Sequence, residues 1–230
     1  MLFQQLSCIN GVIFNCASIF KAAGFTNAKK VTIIIGVVQC FGTGVACLVV
    51  DRAGRRVLLL AASVVMCLSL VALGVYFEIY IPKQPSNQAE VGRDVFLTSI
   101  SHSVSADKIS WLSVMSLILF VIGFAIAWGP LPWLMVSEIF PTRARGRAGA
   151  ISTFVNWFSS FIVTLTFEPL VQSITFQGTY WMYGGFMFLS FVFVFFAVPE
   201  TKGKTLEEIE ALFQSGSSAR YKSADRYDEK

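Results

Sequence analysis

Charged side chains are scarce in this 230-residue sequence, in which Asp, Glu, Lys and Arg make up only 14% against about 25% of an ordinary soluble domain. Histidine occurs once, and the five cysteines form no C-x-x-C pair. These shortages argue against a disulfide framework or a zinc site and leave few groups for acid–base catalysis. We therefore expect no enzyme activity, no catalytic residue, no metal, no cofactor and no nucleic-acid partner.

Apolar residues dominate instead, at 55% of the chain with a mean hydropathy of +0.65. A bilayer core of about 30 Å needs roughly 20 apolar residues of helix. Six stretches without a charged residue reach that length: 1–20, 31–50, 57–77, 111–137, 148–167 and 169–199. They predict an all-α membrane protein with six transmembrane helices, because barrel strands would alternate in shorter units. A soluble helical bundle is the alternative.

The basic residues indicate the orientation in the bilayer. They concentrate in residues 51–56, in residues 142–147 and after Pro199. The positive-inside rule places these segments, and so the C-terminus, in the cytoplasm. We divide the chain into a six-helix bundle over 1–199, a short cytoplasmic helix over 200–213 and a disordered tail over 214–230.

Uncharged polar residues lie inside the predicted first span. Gln4 heads a polar stripe down one helical face, whereas Gln5 and Asn10 lie to either side of it. For these amides to meet in one cavity, the helix must bend or unwind, and Gly11 is a position that would tolerate this. The alternative is a helix–helix interface joined by amides.

Later spans carry more groups of this kind. Gln39 lies in the second span, and Asn156 and Trp157 lie in the fifth. Amides both donate and accept hydrogen bonds, and an indole stacks on the apolar face of a sugar ring. Without a buried charge beside them, these groups favour a neutral polyhydroxylated ligand.

The fourth span contains its own helix breakers in the segment Trp128-Gly-Pro-Leu-Pro-Trp133. Prolines in mid-helix remove backbone donors. Broken membrane helices line cavities and supply hinges in transporters. We predict a hinge at Gly129, Pro130 and Pro132, with a passive kink as the alternative.

Opposite charges flank the cytoplasmic ends of the second and fourth spans. Such charges could pair in one conformation and separate in another, although they could also serve only to set the topology. The residues of this predicted latch are Asp51, Arg55, Arg56, Glu138 and Arg145.

Six ordered motifs together carry a family resemblance over almost all of the chain up to Phe213. The motifs are Gln4-Gln-Leu-Ser-Cys-Ile-Asn10, Asp51-Arg-Ala-Gly-Arg-Arg56, Trp128-Gly-Pro-Leu-Pro-Trp133, Ser137-Glu-Ile-Phe-Pro141, Asn156-Trp157 and Pro199-Glu-Thr-Lys-Gly203. The sequence resembles the C-terminal half, helices 7–12, of a sugar porter of the major facilitator superfamily. Within that superfamily it is most similar to class III facilitative glucose transporters.

The resemblance implies roles for matching positions. The residues that it places at the sugar are Gln4, Gln5, Asn10, Gln39, Phe124, Trp133, Asn156 and Trp157. Three positions depart from the family pattern: Cys8 replaces a glycine, Asn15 replaces a tyrosine, and Ala125 replaces a glutamate found in several class I members.

The resemblance also implies an activity. We expect facilitative uniport of a hexose such as glucose by alternating access, with this chain as the C-terminal half and an N-terminal six-helix half as its missing partner. The plasma membrane or an endosomal or lysosomal membrane is the expected location. Two alternatives are half of a proton-coupled sugar symporter and a truncated protein that modulates a full carrier without transporting.

Overall fold

The computed structural model describes residues 1–15, 28–80, 110–140, 142–204 and residue 208. Every regular element within those ranges is helical. The elements are α1 (Leu2–Leu6), α2 (Ile9–Phe14), α3 (Ala28–Ala53), α4 (Arg55–Tyr80), α5 (Ser110–Gly123), a π-helical segment (Phe124–Trp128), α6 (Leu131–Ile139) and α7 (Thr142–Ala197).

Four helices in the described ranges are long and apolar enough to cross a membrane, judged by length and composition. They run over Thr32–Ala53, Arg55–Ile79, Leu112–Ile139 and Ala144–Ala197. A fifth apolar stretch, Leu2–Phe14, is shorter. The number of spans predicted from the sequence, six, therefore stays a prediction.

The last of these helices folds back on itself. Thr175 has φ 67° and ψ 171°, which is not helical. The rings of Phe167 and Tyr183 lie 6.5 Å apart between centroids, whereas 16 residues of straight helix would separate them by about 24 Å. Helix α7 therefore consists of two antiparallel arms, residues 142–174 and 176–197, joined at Thr175.

Helix α4 lies at the centre of the core. Its buried apolar residues recur every three or four positions, as a helix with one packed face requires; they include Leu59, Ala62, Met66, Leu70, Leu73 and Phe77. This face meets α5 and the second arm of α7. At its C-terminal end the ring of Phe77 stacks on Phe176 at 5.1 Å and on Tyr180 at 5.6 Å between centroids.

Two predicted features fall mostly outside the described residues. Residues 200–204 form a turn instead of the start of a helix. The rest of the predicted helix over 200–213, apart from residue 208, and all of the predicted tail over 214–230 lie beyond the residues that the structure describes.

Candidate functional site: an uncharged amide cluster

The N-terminal apolar stretch is interrupted, but not at the position predicted. Helix α1 ends at Leu6, and α2 starts after Cys8, whose φ of 68° is left-handed. Gly11, which the sequence favoured as the bend, lies within α2. A Cβ there would be 2.7 Å from Cys8 Sγ and 2.9 Å from Phe167 Cδ2. Gly11 is thus required for close packing, and Cys8 takes the conformation that breaks the helix.

Because of this break, the amides of both short helices reach the first arm of α7. Gln5 Nε2 donates to Asn156 Oδ1 at 2.9 Å. Asn10 Nδ2 donates to Gln5 Oε1 at 2.7 Å and to Ser160 Oγ at 2.6 Å. We call Gln4, Gln5, Asn10, Asn156 and Ser160 the amide cluster. None of its members is charged.

Gln4 differs from Gln5 in how its amide is satisfied. Its Nε2 donates to the backbone carbonyl of Gly129 at 3.0 Å. Its Oε1 is buried and accepts no hydrogen bond from any described residue. Gln5 by contrast donates and accepts within the cluster. Gln4 therefore keeps an open acceptor in a side chain that is only 4% exposed.

The fourth apolar span is broken where the sequence predicts it. Residues Phe124–Trp128 are π-helical, and the Gly129 N–H donates to the Phe124 carbonyl at 2.7 Å. Pro130 precedes the first residue of α6 and has no N–H to continue the ladder. A Cβ at Gly129 would be 3.4 Å from Cε1 of the buried Phe124 ring. Phe124 thus lies beside the residue that holds Gln4.

A side chain that the sequence analysis overlooked also holds this broken stretch. Trp128 Nε1 donates to Ser63 Oγ of α4 at 3.0 Å. Ser63 is completely buried. One signal in the sequence is its place between Leu59 and Met66 on the apolar face of α4, where a lone hydroxyl needs a partner.

Gln39 lies on the face of α3 that packs against the broken span. Buried residues of α3 include Ile35, Ala46 and Val50, and the spacing places Gln39 in the same row. A Cβ at Gly42, one turn further, would be 2.9 Å from the Ala125 Cβ. Gln39 is half-buried, and its own carbonyl accepts the Thr43 hydroxyl.

The two tryptophans predicted at the sugar are not joined to the amide cluster. Trp133 is 39% exposed and Trp157 is 65% exposed. Trp157 shares its helical face with Phe154 and Phe161, which are similarly exposed. The structure therefore joins Gln5, Asn10 and Asn156 by hydrogen bonds and binds the neighbouring Gln4 to the Gly129 carbonyl. It leaves both indoles on the outside of this chain.

Among the described residues, three of the five members of the predicted charge latch form ion pairs. Arg55 Nη2 lies 3.1 Å from Glu138 Oε1 and 3.4 Å from Asp51 Oδ1. Arg56 instead donates to the Phe195 carbonyl, and its guanidinium lies 5.7 Å from the Phe195 ring centroid. Arg145 forms no ion pair with any residue that the structure describes. Thus Arg56 and Arg145 are not part of the observed ion-pair group.

Glu200, to which the sequence analysis assigned no role, caps the N-terminal end of α4. Its carboxylate accepts the backbone N–H groups of Arg55 at 3.0 Å and Arg56 at 3.1 Å, the first two residues of α4. Burial alone would raise the pKa of Glu200, but hydrogen bonds from the backbone of Lys202, Arg55, Arg56 and Thr201 outweigh it and lower that pKa. The carboxylate also suits the positive end of the α4 dipole.

Comparison with protein families identifies the chain. Residues 1–213 match the family described as "Sugar (and other) transporter". The chain belongs to this family of major facilitator superfamily sugar porters. Its members matched here are transporters and not enzymes, and the protein is an integral membrane protein.

Two relatives illustrate the similarity of this chain to named carriers. It is 41% identical to mouse "Solute carrier family 2, facilitated glucose transporter member 8" over 215 residues, which cover 93% of this chain and 44% of the relative. It is 42% identical to the "Facilitated trehalose transporter Tret1" of Bombyx mori over 218 residues, 94% of this chain and 39% of the relative. The chain thus spans less than half the length of the curated relatives that it matches.

Solved structures share the all-helical fold of this superfamily. The proton:xylose symporter XylE bound to 6-bromo-6-deoxy-D-glucose superposes with a TM-score of 0.73 and 32% identity, over 92% of this chain and 40% of that one. The inward open conformation of XylE from E. coli gives a TM-score of 0.61 with 31% identity, over 90% of this chain and 41% of that one.

Proposed function

We propose that this chain supplies the C-terminal half of a carrier that moves a hexose such as glucose by facilitative uniport. The observation that carries the proposal is the open acceptor on Gln4. A buried polar atom without a partner costs about 1–3 kcal/mol, and buried acceptors are normally satisfied. A sugar hydroxyl at Gln4 Oε1 would supply the missing hydrogen bond.

The composition of the amide cluster favours a neutral ligand. Its described members are four amides and one hydroxyl, held by hydrogen bonds of 2.6–3.0 Å. A sugar needs this mixture, because each of its hydroxyls can donate and accept. A charged substrate would need an opposite charge beside it, and the cluster provides none.

The exposure of the Trp133 and Trp157 indoles supports the presence of a second half of the carrier that packs against them. Carriers of this type hold substrate at the midplane between two repeats. Trp133 and Trp157 are the exposed residues closest in sequence to the hinge and to Asn156. We propose that an N-terminal six-helix half covers this side and that the sugar lies between the halves, in contact with Gln39 and Phe124 as well.

Six membrane spans are part of the proposal, with the two arms of α7 as the last two and Leu2–Phe14 belonging to the first. The break at Gly129, Pro130 and Pro132 is the proposed hinge for alternating access. Arg55, Glu138 and Asp51 form the proposed latch, and the positive-inside rule favours a cytoplasmic position for it and for the C-terminus. The membrane is the plasma membrane or that of endosomes or lysosomes.

Proton-coupled symport is the second candidate, because XylE is named a proton:xylose symporter. Coupling to protons needs a titratable group that responds to the sugar. The described amide cluster contains no carboxylate, so a proton-coupling group would have to lie in the proposed N-terminal half.

The proposal is tested by co-expressing this chain with the N-terminal half of the mouse relative in cells that lack hexose uptake. We expect saturable uptake of labelled glucose that persists in the presence of a protonophore. Gln4→Leu should lower the uptake rate at subsaturating sugar about tenfold, the equivalent of one hydrogen bond of about 1.4 kcal/mol.

A matched control is Gln177→Leu, which replaces another buried glutamine, located just past the Thr175 reversal. It should leave uptake unchanged. If the two halves assemble but take up no hexose, hexose transport by this chain is wrong. If uptake collapses with the protonophore, symport replaces uniport.

A further inference from the structure

We infer that Ser63 is a positioning residue for the sugar site, acting through the indole of Trp128. The inference rests on the proposed function for its transport measurement. Ser63 belongs to α4, a helix that contributes none of the residues assigned to the sugar. Its effect on the site would therefore be indirect, through contacts that the structure shows one by one.

The hydroxyl of Ser63 has a fixed orientation. It donates to the Leu59 carbonyl at 2.8 Å. A hydroxyl has one proton and two acceptor positions, so an acceptor position faces Trp128 Nε1 at 3.0 Å. Ser190 Oγ lies 3.5 Å away and donates more closely to the Met187 carbonyl, at 2.7 Å. The indole N–H is therefore the principal donor to Ser63.

This hydrogen bond acts beside a gap in the backbone hydrogen-bond ladder, because Pro130 and Pro132 have no N–H to donate. The backbone still forms one bond there, from the Gly129 N–H to the Phe124 carbonyl at 2.7 Å. Two side chains from other helices form hydrogen bonds with the adjacent residues Trp128 and Gly129 of the broken stretch. Ser63 binds the Trp128 indole at 3.0 Å, and Gln4 binds the Gly129 carbonyl at 3.0 Å.

The order of these contacts connects α4 to the open acceptor of the site. Ser63 fixes Trp128, the last residue of the π-helical segment. Trp128 in turn fixes the direction of the adjacent Gly129 carbonyl, which holds the Gln4 amide. If the indole is released, the carbonyl can rotate, and Gln4 Oε1 no longer points in one direction.

Ser69 provides a matched control on the same helix. It is buried, and its hydroxyl donates to the Val65 carbonyl at 2.8 Å, as Ser63 does to Leu59. No indole donates to it among the hydrogen bonds of the described residues. Ser63→Ala and Ser69→Ala therefore remove equivalent intrahelical bonds. Ser63→Ala removes in addition the bond from Trp128 at 3.0 Å and the weaker contact with Ser190 at 3.5 Å.

The first experiment detects the hydrogen bond without using transport. The whole chain is labelled with ¹⁵N-tryptophan and purified in detergent micelles, so that its five tryptophans give separate indole N–H signals. Trp128→Phe identifies the Trp128 signal by its loss. We expect Ser63→Ala to shift this signal and speed its exchange with solvent, and Ser69→Ala to leave it in place.

The second experiment measures the concentration dependence of hexose uptake by the co-expressed halves. We expect Ser63→Ala and Trp128→Phe each to raise KM about threefold to tenfold, the range of one ordinary hydrogen bond. The double variant should be no worse than either single one, because both remove the same interaction. Ser63→Thr, which keeps the hydroxyl, should restore KM, and Ser69→Ala should not change it.

Each result decides a separate point. An unmoved Trp128 signal in Ser63→Ala overturns the hydrogen bond and the inference with it. A shifted signal with unchanged KM overturns the positioning role. If the unsubstituted halves take up no hexose, the proposed function fails together with the role at the sugar, while the indole signal still decides whether Ser63 anchors Trp128.

Discussion

The carboxylate of Glu200 accepts the backbone N–H of Arg55 at 3.0 Å, so the segment that follows α7 caps the start of α4. Gly54, between α3 and α4, has φ +92°, and a Cβ there would be 2.9 Å from Glu200 Oε2. Only glycine fits this left-handed position against the carboxylate. The C-terminal ends of α3 and α7 and the N-terminal end of α4 thereby meet at the Glu200 carboxylate.

The cap predicts a dependence of stability on pH. The pKa of Glu200 is lowered in the folded protein from an ordinary value of 4.5. A carboxylate with a lowered pKa stabilises the fold above its unfolded pKa, and this stabilisation is lost as the pH falls through the folded pKa. We expect the temperature at the midpoint of thermal unfolding in detergent to decrease as the pH is lowered below 4.5.

The control for this pH dependence is Glu200→Gln, which should unfold at a lower temperature at pH 7 and lose part of the acid dependence. Replacing an N-terminal cap costs typically about 1 kcal/mol. If unfolding of the variant depends on pH as strongly as that of the unsubstituted chain, Glu200 is not the group responsible.

The Arg55–Glu138 pair predicts unequal effects of two acidic substitutions. The Arg55 and Glu138 side chains are 14% and 17% exposed, whereas the Asp51 side chain is 77% exposed. Glu138→Gln removes the closer of the two negative charges beside a largely buried guanidinium and should cost about 1–3 kcal/mol. Asp51→Asn should cost at most about 1 kcal/mol.

Thermal unfolding of both variants in the same detergent measures this difference. Equal destabilisation by Asp51→Asn and Glu138→Gln would contradict the view that Arg55 is anchored chiefly on Glu138.

Two glycines of α3 predict a contrast in packing. A Cβ at Gly42 would be 2.9 Å from the Ala125 Cβ, whereas a Cβ at Gly44 would meet nothing within 4 Å. Gly42→Ala should force α3 away from the π-helical segment and cost about 1–3 kcal/mol. Gly44→Ala should be neutral or stabilising by up to about 1 kcal/mol, since alanine favours helix.

Unfolding midpoints of the two alanine variants provide the comparison. A neutral Gly42→Ala would mean that α3 does not pack against Ala125 as closely as the structure shows.

Glycine usually destabilises a helical region relative to alanine, and we predict the opposite order at position 8. The φ of 68° at Cys8 suits glycine, and the Cys8 side chain is completely buried. Cys8→Ala and Cys8→Gly both remove the thiol, but only glycine relieves the left-handed strain. We expect the glycine variant to be more stable than the alanine variant by about 1 kcal/mol.

Chemical denaturation of the two variants measures this difference. If alanine is as stable as glycine at position 8, then the backbone there does not adopt the left-handed conformation in solution.

Charge and hydropathy predicted the all-helical membrane class, because burying charge in lipid is costly wherever a helix crosses. The proline motif predicted the break near Gly129, since its cause is local. The interruption at Cys8 could not be predicted from local preference, because cysteine gives no signal for a left-handed backbone. There the resemblance was more informative, as the family has glycine at that position.

Pairings over long sequence distances were the least accessible to prediction. Gln5 and Asn156 are both amides in predicted spans, but only the tertiary fold shows that they bind each other. Trp157 follows Asn156 directly, and its assignment to the sugar site remains a prediction because the helical twist places it on another face. Ser63 was overlooked because Ser69 lies in the same apolar helix, and nothing in the sequence shows which of the two serines meets Trp128.

The reversal at Thr175 has a mechanical consequence. A connection of one residue limits the movement of the two arms of α7 relative to each other. The Phe167 ring on the first arm packs against the Tyr183 ring on the second. The arms cannot slide past each other or tilt separately without separating those rings. We therefore expect a movement that reaches Asn156 on one arm to carry the other arm with it.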